Sequence, residues 1–122
     1  MNIVQVWAPK ANSVELVINH ERLAMRQGER GWWSLKTPLA APGADYAFSI
    51  NHGDALPDPR SPFQPGGVHG PSRFIDQGKF RWTDSGWSAP PLGDGVVYEL
   101  HIGTFTAAGT FASAIERLGH LV

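Results

Sequence analysis

The apolar residues in the first half of the chain come in short bursts, each closed by a turn-forming residue. Ile3 to Trp7 reads as a strand that stops at Ala8-Pro9, since proline cannot donate to a sheet ladder. Val14 to Ile18 is a second strand, apolar apart from Glu15, bounded by Asn12-Ser13 and by Asn19-His20-Glu21. Arg22 to Met25 is a weaker third. In the fourth, Trp32-Trp33-Ser34-Leu35, the two-residue repeat of a strand puts the indoles on opposite faces, one buried and one available. In the fifth, Tyr46, Phe48 and Ile50 lie on one side while Asp45, Ala47 and Ser49 take the other. Short strands with turn signals roughly every 8 to 12 residues predict an antiparallel β-sandwich. Trp7, Val17, Tyr46 and Phe48 are expected inside it.

The grammar then changes twice. Residues 54 to 71 hold five of the ten prolines together with Gly66, Gly67 and Gly70, which excludes regular helix or a central strand. Phe63 and Val68 give this stretch apolar anchors, so it is expected to be an ordered loop wrapping the sandwich. Phe74-Ile75 and Phe80-Arg81-Trp82 are further short strand candidates. After the break at Pro90-Pro91-Leu92-Gly93-Asp94-Gly95, Val96 to Ile102 reads as a strand. Thr110 then reads as the N-cap of a helix whose apolar positions are Phe111, Ile115 and Leu118. One strand and one helix do not make a fold, because the strand needs neighbours and the helix needs a sheet to cover. The expected organisation is a sandwich over 1–88, a linker over 89–95 and an incomplete strand-helix unit over 96–122. An orphan strand and an uncovered stripe also predict self-association through that last segment.

Composition narrows the function classes. The formal net charge is -1 and the charged residues are interleaved, so no positive stripe is available to phosphate backbones, and nucleic acid is not an expected partner. The absence of cysteine excludes disulfides and thiol chemistry. No apolar run approaches the roughly 20 residues that span a bilayer, and Met1 to Trp7 lacks the basic start and long apolar stretch of a signal peptide. The expected location is the cytoplasm, without a membrane partner.

Particular segments carry a family resemblance. Val6-Trp7-Ala8-Pro9, with Pro42-Gly43-Ala44-Asp45-Tyr46 further on, resembles the N-terminal immunoglobulin-like module of glycogen-branching enzymes, isoamylases and trehalohydrolases. The stretch Leu56-Pro57-Asp58-Pro59-Arg60-Ser61, with Phe63-Gln64-Pro65 and Gly67-Val68-His69-Gly70-Pro71-Ser72, resembles the version found in maltooligosyltrehalose trehalohydrolases of the α-amylase superfamily. Val97 to Thr106 resembles the first strand of the superfamily's catalytic barrel, and Gly109-Thr110-Phe111 through Leu118 its first helix. The resemblance implies a mainly β chain: an immunoglobulin-like sandwich followed by the start of a (β/α)8 barrel. It also implies a retaining glycosidase that acts on maltooligosyltrehalose or α-1,4-glucan, with its catalytic acids on later barrel strands. This chain would then be scaffold or cleft wall and inactive alone. A stand-alone glucan-binding module and a fragment of a branching or debranching enzyme are the alternatives.

The residues themselves offer little catalytic chemistry. Retaining hydrolysis needs two carboxyl groups roughly 5 Å apart, and Glu99, the one tempting acid, has no partner. On a strand, Glu99 and His101 would share a face, but two groups do not complete a metal site. No metal is expected. Neither Gly93-Asp94-Gly95 nor Gly66-Gly67 has the lysine of a phosphate-cradling loop, and Ser61 and Ser72 lack a glycine elbow, so no cofactor and no serine nucleophile is assigned. His69, in the loop, is expected to be solvated or packed on loop backbone. The candidate contact residues are Trp32 and Trp33, because indoles stack on sugar rings. Whichever faces outward meets glucan, the barrel or another chain, with the barrel preferred.

Overall fold

Strand pairing follows the hydrophobic phase of each segment. The chain is described here by a computed structural model covering residues 2–121. β1 (Asn2–Trp7), β2 (Val14–Ile18), β3 (Glu21–Ala24), β4 (Arg26–Gln27), β5 (Trp32–Thr37), β6 (Asp45–Ile50), β7 (Ala55–Leu56) and β8 (Ser72–Arg73) form two antiparallel sheets. One has the order β1-β5-β4. The other runs β3-β2-β6-β7, with β8 also on β6. Val4 and Val6 of β1 and Trp33 of β5 face Val14, Leu16 and Ile18 of β2 and Tyr46 and Phe48 of β6 in one shared core. Leu16, opposite Phe48, is 0% exposed. The fold is therefore the expected sandwich.

Two residues expected inside, Trp7 and Val17, face outward. Trp7 is 58% exposed, because Val4 and Val6 point inward and a strand's period of two sends Trp7 the other way. Val17 is half-buried for the same reason, since its neighbours Leu16 and Ile18 take the core. Ala47 and Ser49, on the outer side of β6, are nonetheless buried. Arg22 accounts for Ser49: it reaches across and donates to the Ser49 hydroxyl at 2.7 Å.

The proline-rich stretch is tied down at both ends. β7 pairs with Phe48 and Ser49, while β8 pairs with Asp45 and Tyr46, so both flanks of the loop share one edge of β6. No strand forms at Phe74-Ile75 or Phe80–Trp82; Phe74 instead stacks on Tyr46 with 3.9 Å between ring centres.

A second unit begins at Thr83. Here the expected strand is absent: residues 96 to 101 have no ladder partner, Val96 is 94% exposed, and Ile102 already starts the short helix α1 (Ile102–Phe105). The apolar, β-branched sequence favours extension, but a strand exists only as one side of a pair. The helix after it does form. α2 (Phe111–Ile115) starts on Thr110, whose hydroxyl accepts from the Ser113 N–H at 3.2 Å while the Ser113 hydroxyl accepts from the Thr110 N–H at 3.3 Å. Ala114 is buried, whereas Phe111, Ile115 and Leu118 are exposed. Among the described residues no helix is long and apolar enough to cross a membrane.

The end of the β1-β5 ladder depends on one glycine. Gly31 has φ +81°, its carbonyl accepts from the Ala8 N–H at 2.9 Å, and a side chain there would begin 2.5 Å from Pro9 Cβ. Gly31→Ala combines left-handed strain with a backbone clash and is expected to destabilise the sandwich by about 2–4 kcal/mol. Urea unfolding followed by circular dichroism checks this; an unchanged midpoint would remove Gly31 from the account.

Candidate functional site

The two candidate tryptophans part company. Trp33 is 5% exposed, and its indole N–H donates to the Ala8 carbonyl at 3.1 Å, so it belongs to the core and cannot meet a ligand. Trp32 faces outward and is half-buried. Its partner across the ladder is Trp7, and residues directly opposite on neighbouring strands have Cβ atoms about 5 Å apart. Two indoles therefore stand side by side at one end of the outer face of the three-stranded sheet. Trp7 is pinned by its N–H, which donates to the Arg30 carbonyl at 3.0 Å.

The loop supplies a third member. The Arg60 guanidinium lies 5.6 Å from the centre of the Trp32 ring, a cation–π contact worth roughly 0.5–1 kcal/mol at an exposed position. Asp58 fixes the backbone at that point: one carboxylate oxygen accepts from the Arg60 backbone N–H at 2.8 Å, and the other accepts from the Tyr46 hydroxyl at 2.8 Å. The Asp58 N–H donates to the Ser72 hydroxyl at 2.9 Å, which closes the loop on β8. Next to the indoles comes a polar row, Gln5, Ser34 and Arg26, in register across β1, β5 and β4. Neither Trp7 nor Arg60 stood out in the sequence. The inward phase of Val4 and Val6 was the available signal for Trp7; nothing local marked Arg60.

The outer side of the other sheet carries a groove of about 470 Å³ with a floor of Val17, Ala47 and Ala55 and walls that include His20, Pro57 and His69. The acid in its lining, Asp45, is paired. Arg73 grips Asp45 through two parallel bonds, the longer 2.8 Å, and this contact holds the Asp45 carboxyl below the usual range and raises Arg73. Burial pushes the Glu15 carboxyl up, but Arg22, His52 and Ser49 outweigh it and leave it lowered. Both acids are thus kept ionised by neighbours, the opposite of what a proton donor needs. Glu99 and His101 are exposed on a segment that is not a strand, so the reason for expecting them on one face does not apply. His69 lines the groove wall.

The comparison with known proteins decides the family. The model of carbohydrate-binding module 48, the isoamylase N-terminal domain, matches residues 2–66, more than half of the 122. The chain belongs to that family. Beyond the module, the likeness continues to the far end of the chain. A malto-oligosyltrehalose trehalohydrolase of Mycobacterium tuberculosis is 47% identical over 97% of the chain, and that of Arthrobacter ramosus is 45% identical over 96%. The chain spans about a fifth of the length of these curated relatives, 21% of each. A solved structure from Salmonella typhimurium, assigned as an alpha amylase, superposes with a TM-score of 0.82 at 36% identity, covering 98% of this chain and 20% of that one.

Within the module, the Tyr46 contact to Asp58 has a pH signature. Burial, then the bond and the charge of Asp58, raise the Tyr46 phenol well above its ordinary value. Because the folded value lies above the unfolded one, near 10, the contribution is whole below about pH 10 and is lost as pH rises beyond it. Tyr46→Phe is expected to cost about 1–3 kcal/mol at neutral pH, by leaving Asp58 without its donor, and to shrink the alkaline loss of stability. Unfolding midpoints from pH 7 to pH 11 check both effects; parallel curves for the two proteins would contradict the assignment.

Proposed function

We propose that this chain is the N-terminal, non-catalytic part of a glycoside hydrolase that releases trehalose from maltooligosyltrehalose by hydrolysing the terminal α-1,4-glucosidic bond. The observation that carries this reading is the extent of the likeness: relatives named for that activity match nearly the whole chain, well past residue 66 where the module ends. On this reading residues 1–88 are the sandwich, 89–95 a linker and 96–122 the start of a (β/α)8 catalytic domain, acting in the cytoplasm. The exposed residues Val96, Phe111 and Ile115 support it, since a strand and a helix stripe of this kind need a sheet to cover them. The remainder of the barrel covers that surface; without it, a second copy of the chain takes its place.

The chemistry follows from what retaining hydrolysis requires. One carboxylate attacks the anomeric carbon and an acid roughly 5 Å away protonates the leaving oxygen. The half-buried acids of the sandwich are engaged: Glu15 and Asp45 each pair with an arginine, and Asp58 accepts from the Tyr46 hydroxyl and the Arg60 backbone N–H. A protein surface that binds substrate and transition state equally lowers KM without lowering the chemical barrier. The chain therefore contributes structure and glucan contacts, and the catalytic acids come from the barrel.

The test is trehalose release from maltooligosyltrehalose by the 122-residue chain and by the longer reading frame that contains it. The expected result is release by the longer protein only. Release by the chain alone that Glu99→Gln abolishes would contradict the division of labour, and a longer protein that forms α-1,6 branches would place it among branching enzymes.

A further inference from the structure

We infer that Trp7, walled by Trp32 and Arg60, is a hexose-stacking platform that takes one pyranose ring of an α-1,4-glucan chain. This rests on the glucan-acting reading above and adds a site to it.

Three observations carry it. First, Trp7 is the exposed member of the indole pair, and it is held rather than loose: its ladder register and its N–H bond to the Arg30 carbonyl fix the ring on a rigid strand end. A sugar ring stacked on such an indole buries its CH face without any ordering cost for the protein. Second, the Arg60 guanidinium leans on Trp32, the ladder partner of Trp7, and brings several N–H donors to that indole, while Asp58 holds the Arg60 backbone. Third, the row adjoining the indoles is Gln5, Ser34 and Arg26. An aromatic patch bordered directly by hydrogen-bonding side chains suits a ligand that is apolar on its faces and hydroxylated around its rim. A protein–protein contact favours a continuous apolar centre with the polar groups confined to its margin.

The groove on the opposite sheet is the natural comparison. Its floor is Val17, Ala47 and Ala55; Tyr46 is stacked on Phe74 and bonded to Asp58, and its other aromatic rings are the imidazoles of His20 and His69, so its lining offers no indole for stacking.

The experiment titrates the purified chain with maltoheptaose and follows tryptophan fluorescence, with parallel isothermal calorimetry. The expected result is saturable binding that Trp7→Ala weakens at least about tenfold, one stacked ring being worth about 1.4 kcal/mol or more. Trp7→Phe is expected to recover part of the loss, and Arg60→Ala to weaken binding about threefold. Arg60 lies outside the ladders, so its variant tests the site even if Trp7→Ala unfolds. His20→Ala, on the wall of the opposite groove, is expected to bind like the parent chain. Three outcomes would overturn the inference: no binding by the parent chain, binding indifferent to both Trp7→Phe and Arg60→Ala, or a larger loss from His20→Ala. Absence of binding alongside trehalose release by the longer protein would remove the platform and leave the proposed function standing. Loss of trehalose release with binding intact would do the reverse.

Discussion

The register between β1 and β5 is the constraint on which the rest of the sandwich depends. It pairs Val6 with Trp33 on the inside and Trp7 with Trp32 on the outside. A slip of one residue would exchange the two sets, exposing the Trp33 indole and forcing Trp7 among Leu16 and Phe48. Three contacts at the turn end oppose that slip. The Ala8 N–H bonds to the Gly31 carbonyl, the Trp33 indole bonds to the Ala8 carbonyl, and the Trp7 indole bonds to the Arg30 carbonyl. All three need the chain to turn tightly past Pro9, which only a residue without a side chain permits at position 31. The same few residues thus close the core on one face and present the aromatic pair on the other.

The second organising element is the proline-rich loop, which works as an attachment and not as a tether. Its ends are stitched to one edge of β6, and Asp58 joins Tyr46, Arg60 and Ser72 in a single network. This network links the interior to the surface: the phenol that bonds Asp58 lies against Phe48 and Phe74 in the core, and the arginine whose backbone Asp58 holds lies over Trp32. Loops with that much internal bonding are suited to positioning side chains for recognition. The proline-rich loop is therefore the segment that finishes the aromatic face.

Much of this was legible in the sequence where a single physical signal dominated. Alternation alone separated Trp32 from Trp33 and put Tyr46 and Phe48 inside, and Thr110 announced its helix through its capping chemistry. For Trp7 and Val17 the alternation was read one residue out of phase: Val4 and Val6 take the core in β1, and Leu16 and Ile18 take it in β2. β7 and β8 were hidden because two-residue strands, each beside a proline, carry no periodicity. The expected strand at Val96 failed for a different reason. Its composition is right, but pairing is a property of two segments, and among the described residues no second one lies beside it. Arg60 illustrates the remaining limit, since its role comes from contacts that cross long stretches of chain.

The most direct test of the register is the exchange rate of the five indole N–H protons, read by NMR after transfer into deuterated water. The structure predicts that Trp33, buried and bonded to the Ala8 carbonyl, exchanges slowest and near the rate of global unfolding, with Trp7 intermediate and the exposed Trp82 and Trp87 fastest. A Trp33 proton that exchanges as fast as Trp82, or a Trp7 proton protected more strongly than Trp33, would mean that β1 and β5 pair in another register and would contradict both the core and the aromatic face built on it.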